Sequence, residues 1–373
     1  MRGHSNVQGN RTVGINEQPS SDFLDALEKN YRFIVPREPG LNTVDSIHAM
    51  LNGKAKVFIA LGGNFAAAAP DTQLTYKALE QCELTAHIST KLNRSHVTTG
   101  KCALILPCIG RTEIDAQLTG EQFITVEDSM SMVHRSRGPN PPASPWLRSE
   151  TSIVAGIAQA ILGSQHVNWL ELAGDYGLIR DEISKVLIGF EDFNERIKQK
   201  GGFYLQNNAA LRKWNTDSKR ALFVSKSLPD ALLHEQLSQQ KNRKLTLQTL
   251  RSHDQYNTSI YGMDDRYRGV IGERHVLFMN AEDIQRQGFN EGDLVDISTA
   301  LNDSPKNRDT GQDCERKVTH FKIVSYQIPE GCVAAYYPET NPLVPLESVA
   351  DGCGTPTYKS IPITLSLSGG FRQ

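Results

Sequence analysis

From residue 244 onward the chain consists of short apolar segments separated by turn residues, and this pattern restricts the fold more than any other. The segments are KLTLQT, HVLFMN, DLVDIST, HFKIVSYQ, CVAAYYP and SIPITLSLS. Turn signals such as Asn290-Glu291-Gly292-Asp293 separate them, and one short helical stretch, AEDIQRQ, is closed by Gly288. Many short strands with tight turns favour a closed sheet. We therefore predict a β-barrel over residues 244–373.

Residues 40–165 have a different pattern, in which strands alternate with helices. Val57–Leu61 is a continuous apolar run, as expected for a strand that is buried on both faces. A Gly-Gly-Asn turn and a helical segment follow it, and a second strongly apolar strand is predicted at Ala103–Leu106. Ile153, Ile157 and Ile161 recur at helical spacing before Gly163. This alternation predicts an α/β layer, Rossmann-like and built on a mostly parallel sheet.

The 373 residues are too many for one typical hydrophobic core. We divide the chain into an α/β domain (1–165), a helical extension and linker (166–243) and the barrel (244–373). The polar, glycine-bearing stretch 1–22 lacks the apolar core of a signal peptide and is predicted to be a loop. The net charge of −2 gives no reason to expect a nucleic-acid partner. No run reaches the roughly 18 apolar residues of a membrane span.

The six cysteines do not form any C-x-x-C pair, and no His/Cys cluster has metal-ligand spacing. They are Cys82, Cys102, Cys108, Cys314, Cys332 and Cys353. In a chain of this length, this usage indicates free thiols in a reducing compartment. We therefore expect a cytoplasmic protein, with no metal ligands in this chain.

Two predicted strands end in residues that suit a phosphorylated ligand. Gly62-Gly63-Asn64 follows the first strand, and the loop 89–96 (STKLNRSH) follows the next. Ligands bind at the carboxyl ends of strands in open α/β sheets, where glycines admit a phosphate and cations pair with it. The dinucleotide fingerprint G-x-G-x-x-G is absent, so a simple tight turn and a solvated loop stay open as alternatives.

The barrel segment contributes two further polar stretches. In TLRSHDQYNTSIYG (249–262), eight consecutive side chains from Arg251 to Thr258 can form hydrogen bonds. Ser252, His253 and Asp254 do not suit a hydrolase triad, because adjacent side chains diverge on an extended backbone. The long loop 336–362 carries Asn341, Tyr358 and Lys359 among prolines and glycines. Both stretches are typical of a site for a heteroatom-rich ligand.

Taken in order, these stretches resemble the C-terminal part of molybdopterin-dependent oxidoreductases of the formate dehydrogenase type, over essentially the whole chain. HSNVQGNRTVGI resembles the family's Asn-Val-Gln-Gly segment, and VFIALGGNFAAAAPD resembles its strand and cofactor loop. ISTKLNRSHVTTGKCALILPC resembles the segment that ends in a Val-Leu-Pro strand, although Ala103 replaces the usual acidic residue. The aspartate that reads guanine near Lys91 in the family is also missing. TLRSHDQYNT and NPLVP…GTPTYKSIP resemble the beginning and the closing loop of the family's dinucleotide-binding barrel.

The resemblance implies a bis-molybdopterin guanine dinucleotide cofactor with molybdenum. It also implies a barrel of the double-psi type whose loops surround that cofactor. Residues that match the family's motifs are then expected to be cofactor contacts, and none of them is expected to be catalytic. They are Asn6, Gln8, Gly9, Gly62, Gly63, Asn64, Ser89, Thr90, Lys91, Asn93, Arg251, His253, Tyr256, Asn257, Thr258, Asn341, Tyr358 and Lys359.

Family members also carry an N-terminal region with the metal-ligating Cys, selenocysteine or Ser and often a [4Fe–4S] motif, neither of which this chain shows. We therefore expect a fragment whose partners are the cofactor, the missing N-terminal region and an electron-transfer protein, and which is inactive alone. Two alternatives stay open, namely a nicotinamide-dependent dehydrogenase and a non-catalytic nucleotide-binding module.

Overall fold

The computed structural model describes residues 5–16, 18–225, 227–228, 230, 244–256, 258, 261–299 and 315–369, and the side chains from residue 8 onward. Its helices are α1 (Ser5–Thr12), α2 (Ser21–Tyr31), α3 (Thr43–Leu51), α4 (Phe65–Ala68), α5 (Thr72–Gln81), α6 (Glu150–Leu162), α7 (Trp169–Gly174), α8 (Tyr176–Val186), α9 (Phe193–Arg196) and α10 (Ala281–Gln287). Short 3₁₀ turns lie at Arg94–His96 and Asn341–Leu343. Within the described ranges, no helix combines the length and the apolar composition needed to cross a membrane.

The strands form four separate sheets. They are β1 (Val57–Leu61), β2 (Leu84–Ser89), β3 (Cys102–Pro107), β4 (Ala116–Gln117), β5 (Gly120–Glu121), β6 (Ile124–Glu127), β7 (Met132–Ser136), β8 (Phe203–Tyr204), β9 (Leu245–Leu250), β10 (Val276–Met279), β11 (Leu294–Thr299), β12 (Lys317–Ser325), β13 (Cys332–Tyr336) and β14 (Ile361–Leu367). The chain folds into two compact units. Unit 1 contains Met1–Gly40, Ile88–Lys91 and Leu106–Lys226, and unit 2 contains Leu41–His87, Leu92–Ile105 and Ser227–Gln373.

The predicted barrel is confirmed: all six apolar segments form strands, which close in the order β10-β12-β11-β14-β9-β13. Strands β10 and β12 pair in parallel, as do β13 and β9, and the other pairs are antiparallel. Leu247, Ile297 and Phe321 are buried in the barrel core. The predicted short helix is α10, capped by the Asn280 side chain and ended by Gly288 at φ 78°. Because every strand has two neighbours, the alternating apolar side chains converge on one interior.

Unit 2 also holds a sheet in the order β1-β2-β3, most of whose residues belong to this unit. The expectation that Val57–Leu61 is buried on both faces is wrong, because Val57, Ile59 and Leu61 are each more than half exposed. Only one face of β1 is packed, where Phe58 lies against the core formed around helices α3 and α5. Both faces of β1 carry apolar side chains, but the described residues cover only one of these faces.

The predicted loop at the N-terminus is also wrong, because Ser5–Thr12 forms α1. Gln8 is buried, and its Nε2 donates to Glu127 Oε1 (2.7 Å) and to the Asp128 carbonyl (2.9 Å). These contacts fix a helix whose glycine and asparagine content disfavours it. A second difference in unit 1 is an antiparallel sheet of β6, β7 and β8 that the sequence did not predict.

Two other helix predictions of the N-terminal half have definite outcomes. The predicted helix near Ile153 is α6, which begins after the N-cap Ser149 and ends at Gly163. The region 166–243 is helical in part, at α7, α8 and α9. Residues 231–243, at the end of the predicted extension and linker, lie outside the described residues.

Candidate functional site

The Gly62-Gly63-Asn64 turn ends β1 in a conformation that requires glycine. Gly62 and Gly63 have φ values of 68° and 74°, in the left-handed region. Apart from the glycine itself and its two chain neighbours, no described residue has a heavy atom within 4 Å of the position that a Cβ would occupy at either glycine. The turn therefore leaves open space beside its backbone, as a loop that approaches a ligand closely requires.

The two polar loops predicted separately from the sequence contact each other. Asn93 Nδ2 donates to the Gly63 carbonyl (2.7 Å), and Asn93 Oδ1 accepts from Ser95 N (3.0 Å). Ser95 Oγ in turn donates to Asn64 Oδ1 (3.3 Å). His96 does not face this opening: it is buried, accepts from Asn93 N through Nδ1, and packs on His87. Asn93 thus holds the glycine turn in place.

Barrel loops hold the helix α4, which directly follows the Gly62-Gly63-Asn64 turn, at its C-terminal end. Asn341 is fully buried, and its Nδ2 donates to the carbonyls of Ala67 (2.6 Å) and Ala68 (3.1 Å) at the end of α4. Tyr358 donates its hydroxyl to the Ala68 carbonyl (2.8 Å), and burial raises the pKa of this phenol. Asn341 Oδ1 has no hydrogen-bond partner among the described residues. A buried acceptor without a donor is costly, which makes this atom a candidate ligand contact.

Two cations lie beside these loops. The Arg251 guanidinium lies 5.7 Å from the centre of the Tyr337 ring, and that ring contacts Tyr358 edge-on at 5.7 Å. Lys359 Nζ donates to the Thr249 carbonyl, and burial, followed by the charge of Arg251, lowers the pKa of the Lys359 ammonium. No carboxylate of the described residues forms an ion pair with either cation. Two neighbouring positive charges without an acid suit an anionic ligand.

Arg274 organises the loop that carries Arg251, although the sequence analysis did not identify it. This buried guanidinium donates to Ser252 Oγ (2.9 Å), Gln255 Oε1 (2.9 Å), the Tyr337 carbonyl (2.9 Å) and Glu339 (2.6 Å). These bonds join the stretch 249–262 to the loop that follows β13. The only signal in the sequence is a charged residue immediately before the apolar strand segment HVLFMN.

The other predicted residues of the barrel loop have mixed positions. The ring of His253 packs on Tyr267 at 3.8 Å between centroids, while Ser252 bonds to Arg274, so the two do not form a nucleophile–base pair. Tyr256 is about half exposed and Thr258 is buried. Asn257 lies outside the described residues.

The predicted residues in unit 1 have two different environments. Gln8 is held by protein groups, as described above, and Gly9 is half-buried within α1, where Asn6 also lies. Thr90 and Lys91 line a cavity of about 590 Å³ together with Arg111, Phe123 and Glu150. Ser89 ends β2. Among the described residues, no group of three or more His, Cys, Asp or Glu could hold a metal ion.

Within the described part of the chain, unit 2 therefore combines an open glycine turn, two cations without carboxylate partners and a buried amide oxygen without a donor. This set of groups can bind phosphates and a polar heterocycle, and binding alone accounts for each of its members. It fits a dinucleotide cofactor by the chemistry of its donors and acceptors.

Comparison with known proteins agrees with this chemistry. Residues 245–362 match the family described as the Molydopterin dinucleotide binding domain. The chain is 46% identical over 368 residues to Protein YdeP of Escherichia coli K12, covering 99% of this chain and 47% of YdeP. It is also 46% identical over 367 residues to the uncharacterized oxidoreductase Rv2900c of Mycobacterium tuberculosis H37Rv, covering 98% and 46%. The chain thus spans about half the length of these curated relatives.

The fold resembles that of acetylene hydratase from Pelobacter acetylenicus. The TM-score is 0.61 at 15% sequence identity, over 96% of this chain and 52% of the hydratase. At this identity the likeness concerns the fold alone. Residues 245–362 therefore match a molybdopterin dinucleotide binding domain, and the whole chain is similar to part of longer proteins that include an uncharacterized oxidoreductase.

Proposed function

We propose that this chain binds and orients a bis-molybdopterin guanine dinucleotide cofactor in a formate-dehydrogenase-like oxidoreductase whose metal ligands lie outside these residues. One observation carries the proposal: Arg251 and Lys359, which form no ion pair with a carboxylate of the described residues, lie in a matched dinucleotide-binding barrel. Loops of this barrel also donate hydrogen bonds to the segment after Gly62-Gly63. The two parallel strand pairs of the barrel support a double-psi topology. The strand, turn and helix from β1 to α5 support a Rossmann-like layer.

In this proposal the cofactor supplies redox chemistry at molybdenum, and the chain supplies binding and electrostatics. Arg251 and Lys359 would neutralise phosphate charge, and Asn341 Oδ1 would accept from a polar hydrogen of the cofactor. Arg274 would act indirectly, by fixing the loop that presents Arg251. Isolated from the metal-ligand region, the chain would retain cofactor without turning over substrate.

The test is cofactor retention, measured without an activity assay. The chain is produced in a host that makes the cofactor, and the purified protein is analysed for molybdenum, for the oxidised fluorescent pterin and for GMP released by acid. We expect pterin and GMP in equal amounts. Arg251→Met should weaken retention by about 1.5–3 kcal/mol, roughly 10- to 150-fold in affinity, because a charge-assisted contact is lost.

The matched control is Lys322→Met, which removes a half-exposed barrel cation that is already paired with Glu273. This variant should retain wild-type amounts of pterin. Unchanged pterin content in Arg251→Met would contradict the assigned role. Tight binding of a nicotinamide dinucleotide in a titration of the purified chain would favour the dehydrogenase alternative instead.

A further inference from the structure

A cavity in unit 1, which we call the basic cavity, is lined by several cations and by no acid of the described residues. Its volume is about 700 Å³, within the usual range for a small-molecule site. The basic side chains of its lining are His134, Arg135, Arg137 and Lys200. Because the whole chain has a net charge of −2, this concentration of positive charge is local. A concave surface lined by one sign of charge attracts ions of the opposite sign.

Two segments that pack against each other supply these cations. Strand β7 carries Arg135, and the turn between α9 and β8 carries Lys200. Strands β7 and β8 pair antiparallel, with Val133 opposite Phe203. A Cβ at Gly202 would lie 1.8 Å from the Val133 carbonyl oxygen, so only glycine allows the turn to approach β7 this closely. The backbone therefore fixes the turn that carries Lys200 against the strand.

Carboxylates balance only two of the four basic side chains. His134 pairs with Asp128 at 2.8 Å, and Arg137 pairs with Glu121 at 3.2 Å. The other two cations form no ion pair with a carboxylate of the described residues. They can therefore compensate about two negative charges of a ligand. A phosphate monoester carries about −1.5 to −2 at neutral pH, whereas a carboxylate supplies one negative charge.

Phe123 gives the basic cavity an aromatic wall with a further cation against it. The Arg180 guanidinium lies 4.1 Å from the centre of the Phe123 ring, and the Arg135 guanidinium lies 5.7 Å from it. Arg180 is buried, and its hydrogen bonds go to neutral acceptors. Among the described residues, Asp175 and Asp181 act on it only from beyond ion-pair distance. A buried charge is poorly screened, so Arg180 adds to the positive potential beside this wall.

We propose that the basic cavity binds a small phosphate monoester, with its phosphate held by Arg135 and Lys200 and a planar organic part against Phe123. Guanidinium and ammonium groups are the usual partners of phosphate, and arginine can donate two parallel hydrogen bonds to it. None of the residues that line the cavity is among those expected above to contact the pterin dinucleotide. The inference therefore concerns a second ligand and does not depend on the proposed cofactor role.

The test is calorimetric titration of a parent chain that carries Arg251→Met, which weakens the anion site of the barrel loops. The probes are inorganic phosphate, adenosine monophosphate and adenosine, at constant ionic strength because salt screens exposed charges. We expect saturable binding of the monophosphate, weaker binding of phosphate and no binding of adenosine. Arg135→Met and Lys200→Met should each lower the affinity for both anions about tenfold or more, because a charge-assisted contact is lost. Phe123→Leu should lower the affinity for the monophosphate alone.

The matched control is Lys198→Met, which removes a neighbouring exposed cation that is paired with Glu195 at 2.6 Å and does not line the cavity. It should leave both affinities unchanged. Urea unfolding checks that each variant is folded, and Lys200→Met, on an exposed turn, keeps the test decisive if Arg135→Met unfolds. Absence of saturable anion binding, or unchanged affinity in the folded cavity variants, would overturn the proposal. So would tighter binding of citrate than of the monophosphate, which would indicate a polycarboxylate site. Pterin content is not a readout, so these outcomes are separate from failure of the proposed function.

Discussion

The barrel and the β1–β3 sheet of unit 2 use similarly apolar strands with opposite results. In the barrel, Leu247, Ile297 and Phe321 are at most 1% exposed, whereas Val57, Ile59 and Leu61 in β1 are more than 50% exposed. The barrel closes on itself, so its strands supply both the interior and the residues that fill it. An open sheet of three strands has outer strands and two faces, and needs other elements to cover them. Strands of similar apolar composition thus form a core in the barrel and leave an exposed surface in the open sheet.

The largest test of this contrast compares a buried barrel residue with an exposed residue of β1. Phe321→Ala should lower the free energy of unfolding of the chain by about 3–5 kcal/mol, because it removes a fully buried ring and leaves a cavity. Ile59→Ala should lower it by less than about 1 kcal/mol, since half of that side chain is already in water. Urea unfolding of both variants checks the difference. Similar losses would mean that the face of β1 that carries Ile59 is buried in solution.

The second test compares the two side chains that hold the polar loops in place, Arg274 in the barrel and Asn93 beside the β1–β3 sheet. Arg274→Met should destabilise the chain by about 3 kcal/mol, because it leaves Glu339 as a poorly exposed carboxylate without its partner. It should also speed proteolysis within 249–262. Asn93→Ala, which removes the corresponding anchor on the sheet side, should cost about 1 kcal/mol, the usual loss of a capping side chain. Denaturant titration measures both, and a larger loss for Asn93→Ala would reverse the ranking.

The third test uses three glycines with left-handed backbones. Gly62→Ala, Gly63→Ala and Gly53→Ala should each cost about 1 kcal/mol, because an L side chain is strained at positive φ. Gly53 follows helix α3, with open space around its Cβ position, and is the matched control. Only the variants at Gly62 and Gly63 should also lower pterin retention. Equal retention in all three variants would show that the strand-end turn is not near the cofactor.

The smallest expected effect is a pH dependence of anion retention in the barrel loops. The pKa of Lys359 is below that of an ordinary lysine, so its charge is lost at lower pH as the pH rises. Retention should therefore fall as the pH rises through a range that lies below the ordinary lysine pKa. Lys359→Arg should retain the anion across this range, since a guanidinium stays charged. Pterin content after dialysis at each pH provides the measurement, and a flat wild-type profile would contradict the prediction.

The same shift of the Lys359 pKa has a consequence for the ligand-free chain. In the window between the lowered pKa and the ordinary value, the unfolded chain binds the extra proton. The free energy of unfolding should therefore rise with pH through that window. Lys359→Met should remove this contribution, and denaturant titrations at several pH values detect the loss.

Much of the fold followed from local patterns. The six barrel strands and the glycine stop at Gly288 were predictable because each depends on residues adjacent in sequence. The division into 1–165, 166–243 and 244–373 stays a prediction. Helix α1 was missed because contacts made by Gln8 with residues more than a hundred positions away stabilise it.

The candidate site was predictable as a list of residues but not as an arrangement. Polar residues at strand ends indicated Gly62-Gly63-Asn64, Asn93, Arg251 and Lys359, because such positions favour ligand binding. Arg274 could not be found in this way, since its role comes from four partners on two loops that are distant in sequence.

The sequence alone determined that the chain has a strand-rich C-terminal barrel and polar loops suited to a heteroatom-rich cofactor. Hydrophobic periodicity and turn preferences depend on residues that are close together in the chain, so they can be read from the sequence. Tertiary structure decided which loops contact each other. It also decided that, among the described residues, Asn341 Oδ1 is a buried acceptor without a donor and one apolar face of β1 is not covered. Those properties depend on contacts between residues distant in the chain. A strand can carry two apolar faces in its sequence, but only the packed molecule shows which of them the chain itself has buried.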